Sequence, residues 1–131
     1  MSASLRNILE IGFGIIYMIG AGFNFSYTLK HGEQFYQGFA DGAWFAPARW
    51  FIQTFVVPNP KNFTVILVLF QLLVGVSLLS QGPLVGLGLL AGTVFCMYAV
   101  FVSNVPGAIA NLALAVLQFY LASVRVLGAI G

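Results

Sequence analysis

No charged residue lies between Lys61 and Arg125, so positions 62 to 124 form an uncharged run of 63 residues. One bilayer crossing takes about 20 apolar residues, and a run of this length accommodates three. The rest of the chain points the same way: 60% of its 131 residues are hydrophobic and 6% are charged. Soluble domains carry about a quarter charged residues, and a chain this poor in them cannot cover a water-facing surface. Lipid is therefore the expected solvent and the bilayer the first expected partner. The five Lys and Arg residues are scattered and the net charge is +2, which does not make the concentrated basic surface that nucleic acid requires. Cys96 is the single cysteine, which excludes an intrachain disulfide and a Cys-only metal cage.

Turn-forming clusters divide the apolar sequence into four spans. The first covers about 5–29, with Arg6 and Glu10 near one end and Lys30 and His31 past the other. Its apolar residues continue through Gly20, Ala21 and Gly22 into Phe23 and Phe25. A signal peptide has a short apolar core and a small-residue cleavage site, so this span is read as part of the mature protein. The second covers about 63–79, between Pro58-Asn59-Pro60 and Ser80-Gln81-Gly82-Pro83. The third covers about 84–102 and the fourth about 108–126, separated by Ser103-Asn104-Val105-Pro106-Gly107, with Arg125 able to snorkel to the interface. Backbone groups in hydrocarbon must bond within their own segment, and strand-like alternation is missing, so the spans are helices. Connections of about five residues make the last three antiparallel neighbours. The expected fold is an all-α membrane protein: one domain, a four-transmembrane-helix up-and-down bundle, with an interfacial helical loop between the first two helices.

That loop, 30–62, holds most of the charges and both tryptophans. Glu33 to Phe39 reads as a short helix broken at Gly42, and Pro47 suits the first turn of another. Arg49 and Gln53 share one face of it, while Trp50, Phe51 and Phe55 point elsewhere. Trp44, Arg49, Trp50 and Phe51 are the expected interfacial or partner-facing residues, since amphipathic rings concentrate at headgroup level. The segment is either a loop anchored by aromatics or a lid over the bundle mouth. Four crossings place Arg6 and Arg125 on one side and Lys30, Arg49 and Lys61 on the other, too even a split for charge to set orientation.

Polar residues inside a bilayer are costly and mark function or helix contacts. In the first span Glu10, Gly14, Tyr17, Ala21, Asn24 and Thr28 recur at spacings of four and three, a stripe that faces other helices. Arg6 and Glu10, four apart, are expected to pair. Gln71 lies in the second span, Cys96 and Tyr98 in the third, and Asn111 and Gln118, seven apart, share a face of the fourth. Their amides can bond across the bundle to Asn24 or Gln71. They either hold helices together or, with Tyr17, bind the carbonyls of a quinone or another lipid-like ligand. Gly82, Gly86, Gly88 and Gly92 read as a close-packing edge of the third helix. His31 is expected to be solvated, and the residues assemble neither a catalytic set nor a metal site.

The run Phe70-Gln71-Leu72-Leu73-Val74-Gly75-Val76-Ser77-Leu78-Leu79, then Gly82 and Gly86-Leu87-Gly88-Leu89-Leu90-Ala91-Gly92, resembles the DoxX family. Arg6, Gly12, Gly14, the small run Gly20 to Gly22 and Lys30 are similar to that family's opening pattern. The resemblance covers nearly the whole chain and implies a small membrane subunit associated with redox systems, including quinone-linked thiosulfate oxidation and membrane-bound oxidoreductase assemblies. It also inclines both termini towards the cytoplasm. The family is typically acidic where this chain has Gln71, so a titratable group is missing there. Three functions follow as expectations: a subunit, non-catalytic alone, docked on a larger redox- or energy-linked membrane complex; a quinone- or lipid-binding redox subunit; and a small transporter.

Overall fold

The computed structural model describes residues 1–130. Four helices are long and apolar enough to cross a membrane, and the described residues contain no strand. Helix α1 runs Ala3–Phe23. It starts where the Ser2 hydroxyl accepts from the Leu5 amide at 3.2 Å, a side-chain cap for an otherwise orphaned N–H. Helix α4 runs Pro60–Leu79, with Pro60 at a position where its missing N–H costs nothing. Helices α5 and α6 run Val85–Val102 and Val105–Ile130. The fourth span thus begins three residues before the expected 108, because the Asn104 side-chain oxygen accepts from the Gly107 amide at 2.8 Å and opens the helix immediately after the turn. In the tight turn between α4 and α5, Gln81 takes the left-handed conformation with φ 53°.

Packing follows chain order for the last three helices: α4 lies against α5 and α5 against α6, while α1 closes on α4. The shared core is Phe13 and Tyr17 of α1, Val74 and Leu78 of α4, Val85 and Leu89 of α5, and Leu121 and Ala122 of α6. Outward positions are as apolar as the core: Ile15, Ile19, Leu69, Leu73, Leu87, Val94, Ile109 and Val116 are all exposed. A soluble helix would carry polar residues on that face. The chain is an all-α membrane bundle, with hydrocarbon for its outer surroundings.

The four glycines expected along the α5 edge divide into two pairs. A Cβ on Gly88 would sit 3.1 Å from Ser77 Cβ, so that glycine sets the α4–α5 distance. A Cβ on Gly92 would fall on the Gln118 side-chain oxygen and 2.5 Å from the Tyr17 hydroxyl. Gly82 and Gly86 do no such work: a Cβ on Gly82 meets nothing nearer than 3.7 Å, and one on Gly86 meets nothing within 4 Å. Gly82 lies in the turn, and Gly86 is two residues, more than half a helical turn, away from the Gly88 face.

The segment between α1 and α4 is more helical than its composition indicates. A π-helical turn, Asn24–Thr28, leads out of α1 without a break into α2, Leu29–Gly42. His31 departs from helical geometry (φ −121°, ψ 25°) and kinks the rod. Helix α3, Ala46–Phe51, begins at the turn marked by Pro47 and passes through a second π turn, Ile52–Val56. Helix α2 and the second π turn enclose a small core of Ala40, Ile52 and Val56, with Tyr36, Phe51, Phe63 and Val102 against it. Phe63 belongs to α4 and Val102 to α5, so this core binds the segment onto the end of the bundle as a cap.

Candidate functional site

Three polar layers lie along the interior. At the end that holds both termini, Glu10 is wholly buried and its two carboxylate oxygens accept from Arg125 Nε at 2.7 Å and Nη2 at 2.9 Å. The expected Arg6–Glu10 pair is thus replaced by an inter-helical one. The reason is geometric: Glu10 faces α6, and the planar guanidinium of Arg125 offers a two-pronged match to the carboxylate, which a residue one turn away on the same helix does not supply here. At mid-depth, the Tyr17 hydroxyl donates to Gln118 Oε1 at 2.9 Å, and Gln118 Nε2 donates to Cys96 Sγ at 3.2 Å and to the Leu114 carbonyl at 3.2 Å. The bare Gly92 makes room for both side chains. This layer satisfies itself and joins α1, α5 and α6.

The third layer lies under the cap. Asn24 Nδ2 donates to Gln71 Oε1 at 2.8 Å, and the Thr28 hydroxyl donates to Asn24 Oδ1 at 2.7 Å. Asn24 is therefore bonded through both ends of its amide. Gln71 Nε2 rests against Gly20, where a Cβ would come within 2.8 Å of it. Of the residues expected with this set, Tyr17 and Gln118 bond to each other in the mid-depth layer and line no part of the cavity below, and Asn111 is absent from the set too. Its Nδ2 donates to the Gly107 carbonyl at 2.8 Å on its own helix, and the residue is half-buried. Two turns before Gln118, the Asn111 amide is satisfied locally on its own helix.

Asn24 and Gln71 form part of the wall of a cavity of about 240 Å³. Phe35, Tyr36 and Phe39 line it from α2, Ile52 and Val56 from the second π turn, Phe63 and Leu67 from α4, and Phe95, Tyr98, Ala99 and Val102 from α5. Both π turns contribute, a placement in keeping with the tendency of such turns to occur at functional sites. The wall is apolar and aromatic apart from two amides and two phenols, and it holds no Asp, Glu, Lys or Arg. The Tyr36 hydroxyl is bonded to Thr64 Oγ1 at 2.8 Å, which in turn donates to the Pro60 carbonyl at 2.7 Å. Phe95 stacks on Phe70 with ring centroids 5.5 Å apart.

The aromatic loop residues have distinct tasks. Trp44 Nε1 donates to the Val100 carbonyl at 2.7 Å and the Trp44 amide to the Ser103 carbonyl at 3.2 Å, pinning the α2–α3 link to the end of α5. Arg49 Nη2 donates to the Ala43 carbonyl at 2.6 Å and stiffens the same link. Phe51 packs against the cap core. Trp50 is 61% exposed and touches Phe55 edge-on. His31 is exposed, as expected, and lies 4.8 Å from the Tyr27 ring.

The sequence reading missed most of the cavity wall. Phe63, Leu67 and Gln71 recur every four residues, as do Phe95 and Ala99, and that period places each set on one helical face. Phe35, Tyr36, Ile52 and Val56 give no such sign, because only the folded cap brings them over α4 and α5. Among the described residues, no three His, Cys, Asp or Glu side chains are grouped so as to hold a metal ion. No family model, no curated protein and no solved structure matches the chain.

Proposed function

We propose that this chain is a small subunit of the cell membrane that takes an uncharged, membrane-dissolved molecule of the quinone class into the cavity under its cap. One observation carries the reading: a cavity of about 240 Å³, aromatic-walled and free of ionic side chains, with the bonded Asn24 and Gln71 amides in its wall. An apolar cavity of about 150 Å³ holds a benzene ring, so this one has room for a substituted ring. Apolar walls with a few placed polar groups are the usual form of a small-molecule site. An amide N–H recognises a carbonyl oxygen, and the absence of charge in the wall disfavours an ionised headgroup, which would be left unpaired. A lipid carrying an uncharged acceptor meets the same requirements and is the alternative occupant.

With a ligand but no redox centre in its own residues, the chain works beside a larger redox-linked membrane complex as an accessory subunit, with both termini on the cytoplasmic side. The resemblance to the DoxX family supports that setting. A transporter has less support: Glu10 and Arg125 neutralise one another at the end of the bundle away from the cavity. The test is lipid analysis of the protein extracted in mild detergent, for the wild type and for Gln71→Leu. A quinone in stoichiometric amount, lost from the variant, is the expected result. A wild-type extract without quinone, or one that Gln71→Leu leaves unchanged, refutes the reading.

A further inference from the structure

The capped cavity is not sealed, and its wall is unevenly buried. The two amides are its buried pole: Asn24 is 6% exposed and Gln71 8%. Two other wall residues, Phe39 of α2 and Tyr98 of α5, stay 38% and 49% exposed. They mark where the wall ends. The fold explains the position of this mouth: α2 packs on α4 and the second π turn, and α5 on α4 and α6, but α2 and α5 share no comparable seam. What joins that side lies nearer the end of α5, where Val102 meets the Ala40 core and Trp44 bonds to the Val100 carbonyl. Tyr98 stands four residues before the last residue of α5, so the mouth opens about 6 Å inside the end of a spanning helix and faces acyl chains. Leu87, Leu90 and Val94 continue the line of Tyr98 at spacings of four and three, which places all four on one face of α5, and all four are exposed. The mouth therefore leads onto an unbroken apolar track along the span.

We infer that the ligand is a tailed amphiphile that enters sideways from the bilayer between Phe39 and Tyr98, seats its uncharged polar head at the Asn24–Gln71 pole and leaves its apolar tail outside, along Val94, Leu90 and Leu87. The inference rests on the cavity being a ligand site, as proposed above, and adds which part of the molecule the wall holds and by which route it arrives. The volume agrees with a head-only fit: a cavity of about 240 Å³ takes a substituted ring, since about 150 Å³ holds benzene, and has no space for a long chain as well. A tail left in lipid gives up no apolar burial, so the wall has only the head to match. A quinone and an uncharged glycerolipid share this chemistry.

The test uses the full-length wild-type protein in lipid nanodiscs and two photoprobes that carry a diazirine on the chain, well away from the head: an alkyl-tailed benzoquinone and a diacylglycerol. Peptide mapping locates the label with and without an excess of the same compound unlabelled, and a ring-borne azidoquinone run in parallel reports occupancy of the cavity itself. Label from the quinone tail on Phe39, Val94 and Leu90, lost on competition, is the expected result. The same pattern from the diacylglycerol alone supports the route and refutes a quinone as the occupant. Competed tail label confined to exposed cap residues such as Gln34 and Thr54, or competed ring label with no competed label from either tail, overturns the route and leaves the cavity reading standing. No competed label from any probe overturns both.

Discussion

Replacing Arg125 by Leu removes both bonds to a carboxylate that no solvent reaches. Each charge-assisted hydrogen bond contributes about 1.5–3 kcal/mol, giving about 3–6 kcal/mol for the pair. Arg125 is 23% exposed along its side chain, and headgroup water already solvates part of it, which places the expected cost near the lower end, about 3–4 kcal/mol. That agrees with the penalty of roughly 3–5 kcal/mol for stripping one partner from a buried ion pair. The double variant Glu10→Leu with Arg125→Leu removes the stranded charge as well and is expected to recover most of the loss, since a buried pair replaced by apolar side chains is often neutral. Arg6→Leu serves as the control and is expected to cost less than about 1 kcal/mol, because Arg6 Nε has no hydrogen-bond partner among the described residues. The assay is reversible unfolding in mixed micelles, followed by far-ultraviolet circular dichroism, with the coupling energy taken from the cycle. An Arg125→Leu cost under about 1 kcal/mol, a coupling near zero, or a larger loss in Arg6→Leu refutes the inter-helical pair.

Other variants probe the remaining parts of the frame. Gly92→Ala forces a methyl onto the Gln118 and Tyr17 side chains and is expected to lower stability by about 1–3 kcal/mol, read from the thermal midpoint in detergent. Trp44→Phe keeps the ring and deletes the N–H bond to Val100; a loss of about 1 kcal/mol is expected, with faster amide exchange confined to residues 43–56. Gln81→Val places a β-branched side chain at φ 53° and is expected to cost about 1–2 kcal/mol, whereas Gln81→Gly stays close to wild type in the same measurement.

The legible part of this molecule is the part fixed by solvent. The charge gap from 62 to 124 dictates the crossings because hydrocarbon tolerates neither charges nor open backbone. Pro58 and Asn59, Ser80 to Pro83, and Ser103 and Asn104 mark the turns, and the prolines at 60 and 106 sit in the first turns of the helices that follow. Pairings between helices were harder to read. Arg6 and Glu10 are well spaced for one another, yet Arg125, more than a hundred positions away, takes the carboxylate. Asn111 shares a heptad face with Gln118, yet only Gln118 meets a polar neighbour. The sequence pairs Asn111 and Gln118 with Asn24 or Gln71; in the structure Asn24 and Gln71 bond to each other instead, and nothing in the spacing selects that pairing. The cap was the least legible element. Its helix α2 carries polar residues beside Phe35, Tyr36 and Phe39, a composition that suits a surface loop as well as a roof. The closing contacts, such as Tyr36 with Thr64 and Trp44 with Val100, join segments far apart in the chain.

Photolabelling addresses the capped cavity most directly. An azido-substituted short-chain quinone, added to the protein in lipid nanodiscs and illuminated, is expected to mark peptides carrying Phe35, Tyr36, Phe63 and Tyr98, with labelling suppressed by excess unlabelled quinone. Label spread over the outward face of α6, around Ile109 and Val116, and insensitive to competitor, would contradict the account.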